Sequence, residues 1–272
     1  MDGHTLPTSR YRATVADLDA LRARIDELDR ALIDIVAQRL AVCEEVAEVK
    51  GHSDTPVIQP ARVRDVLTTR RQQAIEAGID PDFAEQLFRV LLTETHRIEV
   101  AGGRPDPAPE KLAATSESPS PLDTIATRVD HVVVAVHDVA VARASLIEHF
   151  GFRDAPLADP VADVVALTAG GVTVVLVGAS ASPAVARYLE RHGDGVQHIA
   201  VEVLNAGFAH AALANAGAPL VTDVVVDADG HEQFFAGADP ATGLQLGFIS
   251  RVGHRVGVGT ANVLALFDAL ET

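Results

Sequence analysis

From Val15 to Lys50 the chain contains no glycine or proline. Within that run Leu18, Leu21, Ile25, Leu28, Leu32, Ile35 and Val36 recur at spacings of three, four and seven, the period of an amphipathic helix. The stripe continues through Val42, Val46 and Val49 and stops at Gly51, giving one helix of roughly nine turns. After a polar turn from Gly51 to Pro60, a second helix is expected over about Ala61 to Ala77. A break at Gly78 to Asp80 then sets Pro81 at the start of a third helix reaching about Val100. A helix as long as the first cannot bury its apolar stripe against two shorter partners. The pattern therefore predicts pairing with a second copy in an intertwined homodimer.

The formal net charge of −16 over 272 residues excludes nucleic acid and anionic membranes as partners, because both need a basic face. A small anion is not excluded, since a few buried arginines override the global field locally. The single cysteine, Cys43, cannot form an internal disulfide and points to a reducing compartment. With no secretory signal and no apolar run of membrane length, the sequence reads as a cytoplasmic protein.

Residues 1–15 read as a disordered tail and residues 16–100 as the helical domain. Composition shifts at Ala101, and up to Thr127 Pro, Ala, Ser and Glu dominate without an aromatic, the signature of a flexible linker. Beyond it, over residues 128–272, the period falls to two. Strands are expected at His131–Val136, Val164–Leu167, Val172–Val177, Gln197–Val203, Leu220–Val226, Gln233–Ala236 and Leu244–Ile249, with helices at Val139–Phe150 and Asn205–Ala216. Strand, helix, then further strands occurs twice, opened by Asp130-His131 and by Gln197-His198. The expected fold is thus an all-α three-helix domain followed by an α+β domain of two βαβββ modules.

The cations of the helical domain are its chemistry-bearing residues. Arg39 and Lys50 lie eleven residues apart and so within roughly 20° of one another on a helix, while Arg22 points elsewhere and would reach a different site, such as the partner's. Arg62 opens the second helix, and Thr95 and Glu99 share a face of the third. The run LRARIDELDRALIDIVAQRLAVCEEVAEVK, a Pro-containing turn, an Arg and a final helix ending ETHRIE together resemble the AroQ-type (type II, all-helical) chorismate mutases over about Leu18 to Glu99. That resemblance implies an isomerase acting on chorismate without metal or cofactor, by orientation and charge stabilisation. It implies that Arg39 grips one substrate carboxylate and Arg22 of the other protomer another. Arg62 supports the ligand, and Lys50 donates to the breaking ether oxygen. Glu99 stands where the family usually has Gln, and it can donate to that oxygen only when protonated.

Two positions depart from the family pattern. Gln59 replaces an acidic residue that contacts the ring C4 hydroxyl, and Val63 follows Arg62 where Glu is common. The segments VIQPARV and ETHRIE look like the branch acting on 4-amino-4-deoxychorismate in p-aminophenylalanine-type secondary metabolism, and isochorismate-pyruvate lyases also carry Val after that Arg. Chorismate ranks first, the amino analogue second and isochorismate third. A non-catalytic subunit that depends on a partner enzyme is the alternative for the whole chain.

In the second half DHVVVAVHDV and GVQHIAVEV resemble the opening strands of the vicinal-oxygen-chelate (glyoxalase-like) superfamily, and the tail GVGTANVLALFDALE looks like the closing helix of its 4-hydroxyphenylpyruvate dioxygenase branch. Metal-binding members use two module-opening histidines and a Glu on the last strand. His131 and His198 match the first two, but the third position aligns with Gly247, and the matching strand of the first module offers only Val175. Gln245 and Glu232 are the candidate substitutes for the missing ligand. Because catalytic sites of this kind use at least three protein ligands, the favoured reading is a metal-free module binding an aromatic small molecule. The competing one is a second catalyst acting on the mutase product with a divalent metal.

Overall fold

The structure, a computed structural model, describes residues 15–53, 59–101, 122, 125–226, 230–251 and 258–270. The expected N-terminal tail, apart from Val15, and most of the expected linker lie outside the described residues. The chain divides into one compact unit ending at Val46 and another beginning at Ala47.

The first unit is dominated by helix α1 (Val15–Gly51), which is unbroken as the absence of Gly and Pro predicts. Its apolar stripe faces outward in the single chain. Leu18, Leu21, Ile25, Leu28, Leu32 and Ile35 are all exposed, Leu28 to 70%.

The second unit begins with the last turn of α1, followed by α2 (Pro60–Glu76) and α3 (Pro81–Ala101). Gly78 adopts φ +71° between them, a left-handed conformation that glycine takes without steric cost, and Ile79 N donates back to Ala74 O at 2.8 Å. The Asp80 carboxylate then caps α3, accepting from Asp82 N at 2.7 Å and Phe83 N at 3.1 Å. Arg71 of α2 ties the hairpin by donating to both Asp82 and Glu85 of α3.

The remainder of this unit is a sheet with helices on it. Strand β1 (Ala126–Val136), helix α4 (Val139–Phe150) and strands β2 (Arg153–Ala155), β3 (Val164–Ala169) and β4 (Val172–Gly178) form the first module. After helix α5 (Pro183–His192) come strand β5 (Gly195–Val203), helix α6 (Ala206–Asn215) and strands β6 (Val225–Val226), β7 (Glu232–Phe235) and β8 (Leu246–Ser250). Helix α7 (Thr260–Ala269) closes the described chain. Among the described residues the strands form one sheet ordered β2-β3-β4-β1-β5-β8-β7-β6. In both modules the first strand lies parallel to the last, β1 with β4 and β5 with β8, and β1 meets β5 antiparallel at the centre. The duplicated βαβββ order is therefore present, and even the caps repeat. Asp138 accepts from Val141 N at the start of α4, as Asn205 does from Phe208 N at the start of α6.

Alternation along the strands sends Val133, Ala135, Val175 and Val177 into a core shared with α5 and α7, whose Val263 and Phe267 are buried there. Phe234 and Phe248 enter a second core under α6. The sequence reading placed a strand over Leu220–Val226, but only Val225–Val226 is strand, and Leu220 makes an isolated bridge to Ala236. It placed no element at β2 or α5, whereas the closing helix that the resemblance implied for the tail is present as α7. The end of the expected linker is ordered. Thr127 belongs to β1, and Ile125 is fully buried with Val203, Leu204 and Phe208, an apolar anchor that a composition average hides.

Candidate active site

In the second unit Lys50, at the end of α1, meets Glu99, near the end of α3. The Lys50 Nζ donates to Glu99 Oε2 at 2.9 Å, with side chains 16% and 7% exposed. The residues are 49 apart in sequence. The α2–α3 hairpin carries Glu99 back to the end of α1. His96, three residues before Glu99 and on its face of α3, is also buried, and the Lys50 charge acts on it. Burial first, then the positive charges of Lys50 and Arg97, pushes the His96 imidazole down to about 3. Thr95 is half-buried and turns its hydroxyl back to Leu91 O at 2.8 Å.

The other expected residues occupy different settings. Arg39, half-buried on α1, points a guanidinium nitrogen at Cys43 Sγ, 3.8 Å away. Arg22 is exposed and pairs with Asp19 at 3.3 Å. Arg62 is exposed in the first turn of α2, and Gln59 precedes that helix as its N-cap residue without a side-chain cap bond. Val63 packs against the core formed by Ile125, Val203, Leu204 and their neighbours in the sheet domain.

The histidine pair of the sheet domain is fully enclosed. His131 and His198 are each 1% exposed, with ring centroids 5.9 Å apart. His131 Nδ1 donates to Asp130 Oδ2 at 2.7 Å, and Arg251 clamps both oxygens of the same carboxylate at 2.7 and 2.6 Å. Burial would raise Asp130, but the hydrogen bonds from His131 and Arg251 outweigh it and hold the carboxyl well below the usual range. His198 Nδ1 donates to Gln197 Oε1 at 2.5 Å, because the Gln197 amide nitrogen is given to Gln245 Oε1 at 3.0 Å. Burial, with the nearby His131, keeps His198 neutral, so its Nε2 carries a lone pair. Neither Nε2 has a hydrogen-bond partner among the described residues, and neither do the amide atoms of buried Gln233 on β7.

The proposed third ligands do not complete a metal set. A Cβ on Gly247 would stand 3.1 Å from the Phe235 ring and 3.2 Å from His198 Cδ2, so the ring occupies the space of the absent carboxylate. Gln245 uses its oxygen on Gln197 and its nitrogen on Ala236 O at 3.3 Å. Glu232 pairs across from Ser250, one residue out of step with Gln233 and Phe235, and so lies on the opposite face of β7 from them. Val175 is fully buried in the core. Among the described residues no group of three or more His, Cys, Asp or Glu could hold a metal ion. Among the described residues, Gly247, Gln245, Glu232 and Val175 do not supply the third ligand that the family's metal uses.

Sequence reasoning passed over His96, Gln233 and Glu202. The first carried a readable signal, since His96 and Glu99 stand three apart on one helix. The others became visible only through strand pairing and helix docking.

The buried imidazoles carry a consequence for acid stability. In the unfolded chain both titrate near 6.5, whereas the folded values of His96 and His198 lie far below, so the unfolded state binds protons first. Their stabilising contribution is complete above pH 6.5 and declines as pH falls toward the folded values. By pH 5 the His96 imidazole alone costs about 2 kcal/mol. Urea midpoints should therefore drop between pH 7.5 and pH 5, and His96→Asn should reduce that dependence. An unchanged pH dependence would overturn the assignment.

A long amphipathic helix followed by a helical hairpin, with a buried ammonium–carboxylate contact between Lys50 and Glu99, defines the first class of protein in this chain, and a duplicated βαβββ sheet defines the second. The model of chorismate mutase type II matches residues 21–100, and that of the glyoxalase/bleomycin resistance protein/dioxygenase superfamily matches residues 130–235. The 4-amino-4-deoxychorismate mutase of Streptomyces pristinaespiralis is 38% identical over 114 residues, 40% of this chain and 88% of that protein. The T-protein of Enterobacter agglomerans is 40% identical over 85 residues, 31% of this chain, and the match spans only 23% of the T-protein. Among solved structures, methylmalonyl-CoA epimerase from Mycobacterium tuberculosis aligns at 20% identity and a TM-score of 0.40, covering 47% of this chain and 90% of that one. The chain belongs to the chorismate mutase type II family and carries a glyoxalase-superfamily domain after it. No helix of the described residues is long and apolar enough to cross a membrane.

Proposed function

We propose that the protein is a homodimeric mutase catalysing the [3,3] rearrangement of chorismate, or of its 4-amino analogue, to the corresponding prephenate. The observation that carries this reading is the buried Lys50–Glu99 contact, two hydrogen-bonding groups brought together from 49 residues apart. In the rearrangement the ether C–O bond breaks as the new C–C bond forms, and negative charge gathers on the ether oxygen. Lys50 donates to that oxygen, and protonated Glu99 supplies a second donor. Arg39 and Arg22 of the other protomer take the two carboxylates, and Arg62 supports the ligand at the start of α2. Thr95 and Gln59 complete the substrate contacts. No covalent step or cofactor is required.

The amino analogue is the second reading, supported by the name of the Streptomyces pristinaespiralis relative and by Gln59 in place of an acidic residue. The test is a parallel assay with chorismate, 4-amino-4-deoxychorismate and isochorismate, products identified by mass. Prephenate or its amino counterpart is the expected product, and pyruvate release from isochorismate alone would replace this reading with a lyase. Glu99→Gln keeps a hydrogen-bond donor beside Lys50 and should retain turnover, whereas Glu99→Ala should lose about 10²-fold. Wild-type turnover in a folded Glu99→Ala protein would remove Glu99 from the mechanism.

For the C-terminal domain we propose a metal-free module in the cytoplasm-resident enzyme. The displaced third ligand at Gly247 supports this. Protein prepared without chelator should retain less than about one-tenth equivalent of divalent metal, because two imidazoles seldom hold a catalytic ion against water. A stoichiometric ion lost in His198→Ala would restore the second-catalyst reading.

A further inference from the structure

Glu202, near the end of β5, has a side chain 1% exposed and no task in the chemistry proposed above. Its two oxygens are divided between the halves of the chain. Oε1 accepts from Arg97 of α3, and Oε2 from Arg128 Nε of β1 at 2.5 Å. Its backbone oxygen accepts from the Thr127 hydroxyl at 3.1 Å. A buried carboxylate is tolerated when its charge and its lone pairs are both met, and here one of the two cations belongs to the mutase helix.

Arg97 lies two residues before Glu99, so the two side chains leave α3 about 160° apart. Arg89, about 80° round the helix from Arg97, donates to Ala126 O at 3.3 Å at the start of β1. Between these contacts Val63, Leu67 and Leu92 face Ala126, Thr127 and Leu204 across a small cleft. One side of α3 is thus fastened at two heights to the central strands of the sheet, and the other presents Glu99 to Lys50.

We infer that Glu202 is a positioning residue for the rearrangement: by fixing Arg97 it sets the rotation and height of α3, and with them the place of the Glu99 carboxyl beside Lys50. This rests on the reading of Lys50 and Glu99 as substrate-contacting groups. It gives the C-terminal domain a part in the mutase reaction that needs no ligand of its own. The donors of a pericyclic reaction must sit within fractions of an ångström of the developing charge, and a small displacement is costly.

The test uses the full chain carrying Glu202→Gln, Arg97→Gln, both together, or Glu202→Asp. Each single Gln variant should lower kcat about 10- to 100-fold with KM within about twofold, and the double variant should be no worse than either single one. The pH dependence of kcat should shift in Glu202→Gln and return toward wild type in Glu202→Asp, which a merely stabilising role would not produce. Wild-type kcat and pH profile in a folded Glu202→Gln protein would overturn the inference, as would multiplying losses in the double variant. If Glu202→Gln fails to fold, Glu202→Asp decides by its own pH profile. If the wild-type chain turns over no substrate, the functional reading fails instead. Hydrogen exchange then decides the clamp, since α3 amides between Val90 and Glu99 should exchange faster in Glu202→Gln or Glu202→Asp, and unchanged exchange overturns it.

Discussion

Lys50→Ala should lower turnover about 10²- to 10³-fold, the usual loss when one donor to a developing oxyanion is removed. Two effects are superimposed in that variant. The ether oxygen loses its cationic donor, and Glu99, 7% exposed, loses the ammonium 2.9 Å away. Leaving a buried carboxylate unpaired destabilises a fold by about 3–5 kcal/mol, so inactivity alone would not distinguish catalysis from unfolding. The double variant Lys50→Ala/Glu99→Gln separates them. Neutralising the orphaned carboxylate should restore most of the lost stability and leave turnover as low as before. Recovery of both together would mean that Lys50 serves only the fold. Arg39→Ala should cost a comparable factor, expressed more in KM, because a carboxylate grip is made in the ground state and the transition state alike. Near-normal turnover in both Lys50→Ala and Arg39→Ala would remove the site.

What could be read from the chain beforehand follows the range of the interactions concerned. Helix α1 was legible almost to the residue, because an uninterrupted apolar period and a stop at Gly51 are local signals. The duplication was legible from Asp130-His131 and Gln197-His198, since each pair opens a strand whose partner lies in the same module. The short strand β2 and helix α5 were not, as one is three residues long and the other carries Arg187, Glu190 and Arg191 beside its apolar residues. At the site, spacing along one helix could suggest Lys50, and resemblance could add Glu99, but neither could say that Gln245 is spent on Gln197. Val63 illustrates the limit most directly. Against a family pattern it reads as a change in substrate recognition, whereas its neighbours are Ile125, Val203 and Leu204. A residue facing a second domain has no meaning until that domain is placed.

A mixture of two inactive variants should regain activity, and this is the sharpest consequence of the stripe on α1. Leu18, Leu21, Ile25, Leu28, Leu32 and Ile35 are 44–70% exposed in the single chain, and covering six such side chains contributes roughly 10 kcal/mol per protomer before the cost of association. That is enough for a stable dimer, and a Glu placed in the stripe reverses it. Leu28→Glu/Leu32→Glu should elute at 28.6 kDa rather than at twice that mass, with turnover lost. The dimer also decides where Arg22 acts. Arg22 and Arg39 are seventeen residues apart and diverge by about 100° on one helix, so a single chain does not direct both at one ligand. If Arg22 enters the partner's site, homodimers of Arg22→Ala and of Lys50→Ala are both inactive. A mixed dimer then contains one site with Lys50 and the other protomer's Arg22 both intact, and one site lacking both. Random reassembly makes about half of the dimers mixed, so about one-quarter of wild-type activity should return. No recovery on mixing, with mixed dimers demonstrated by mass, would place Arg22 in the site of its own chain or outside the site altogether.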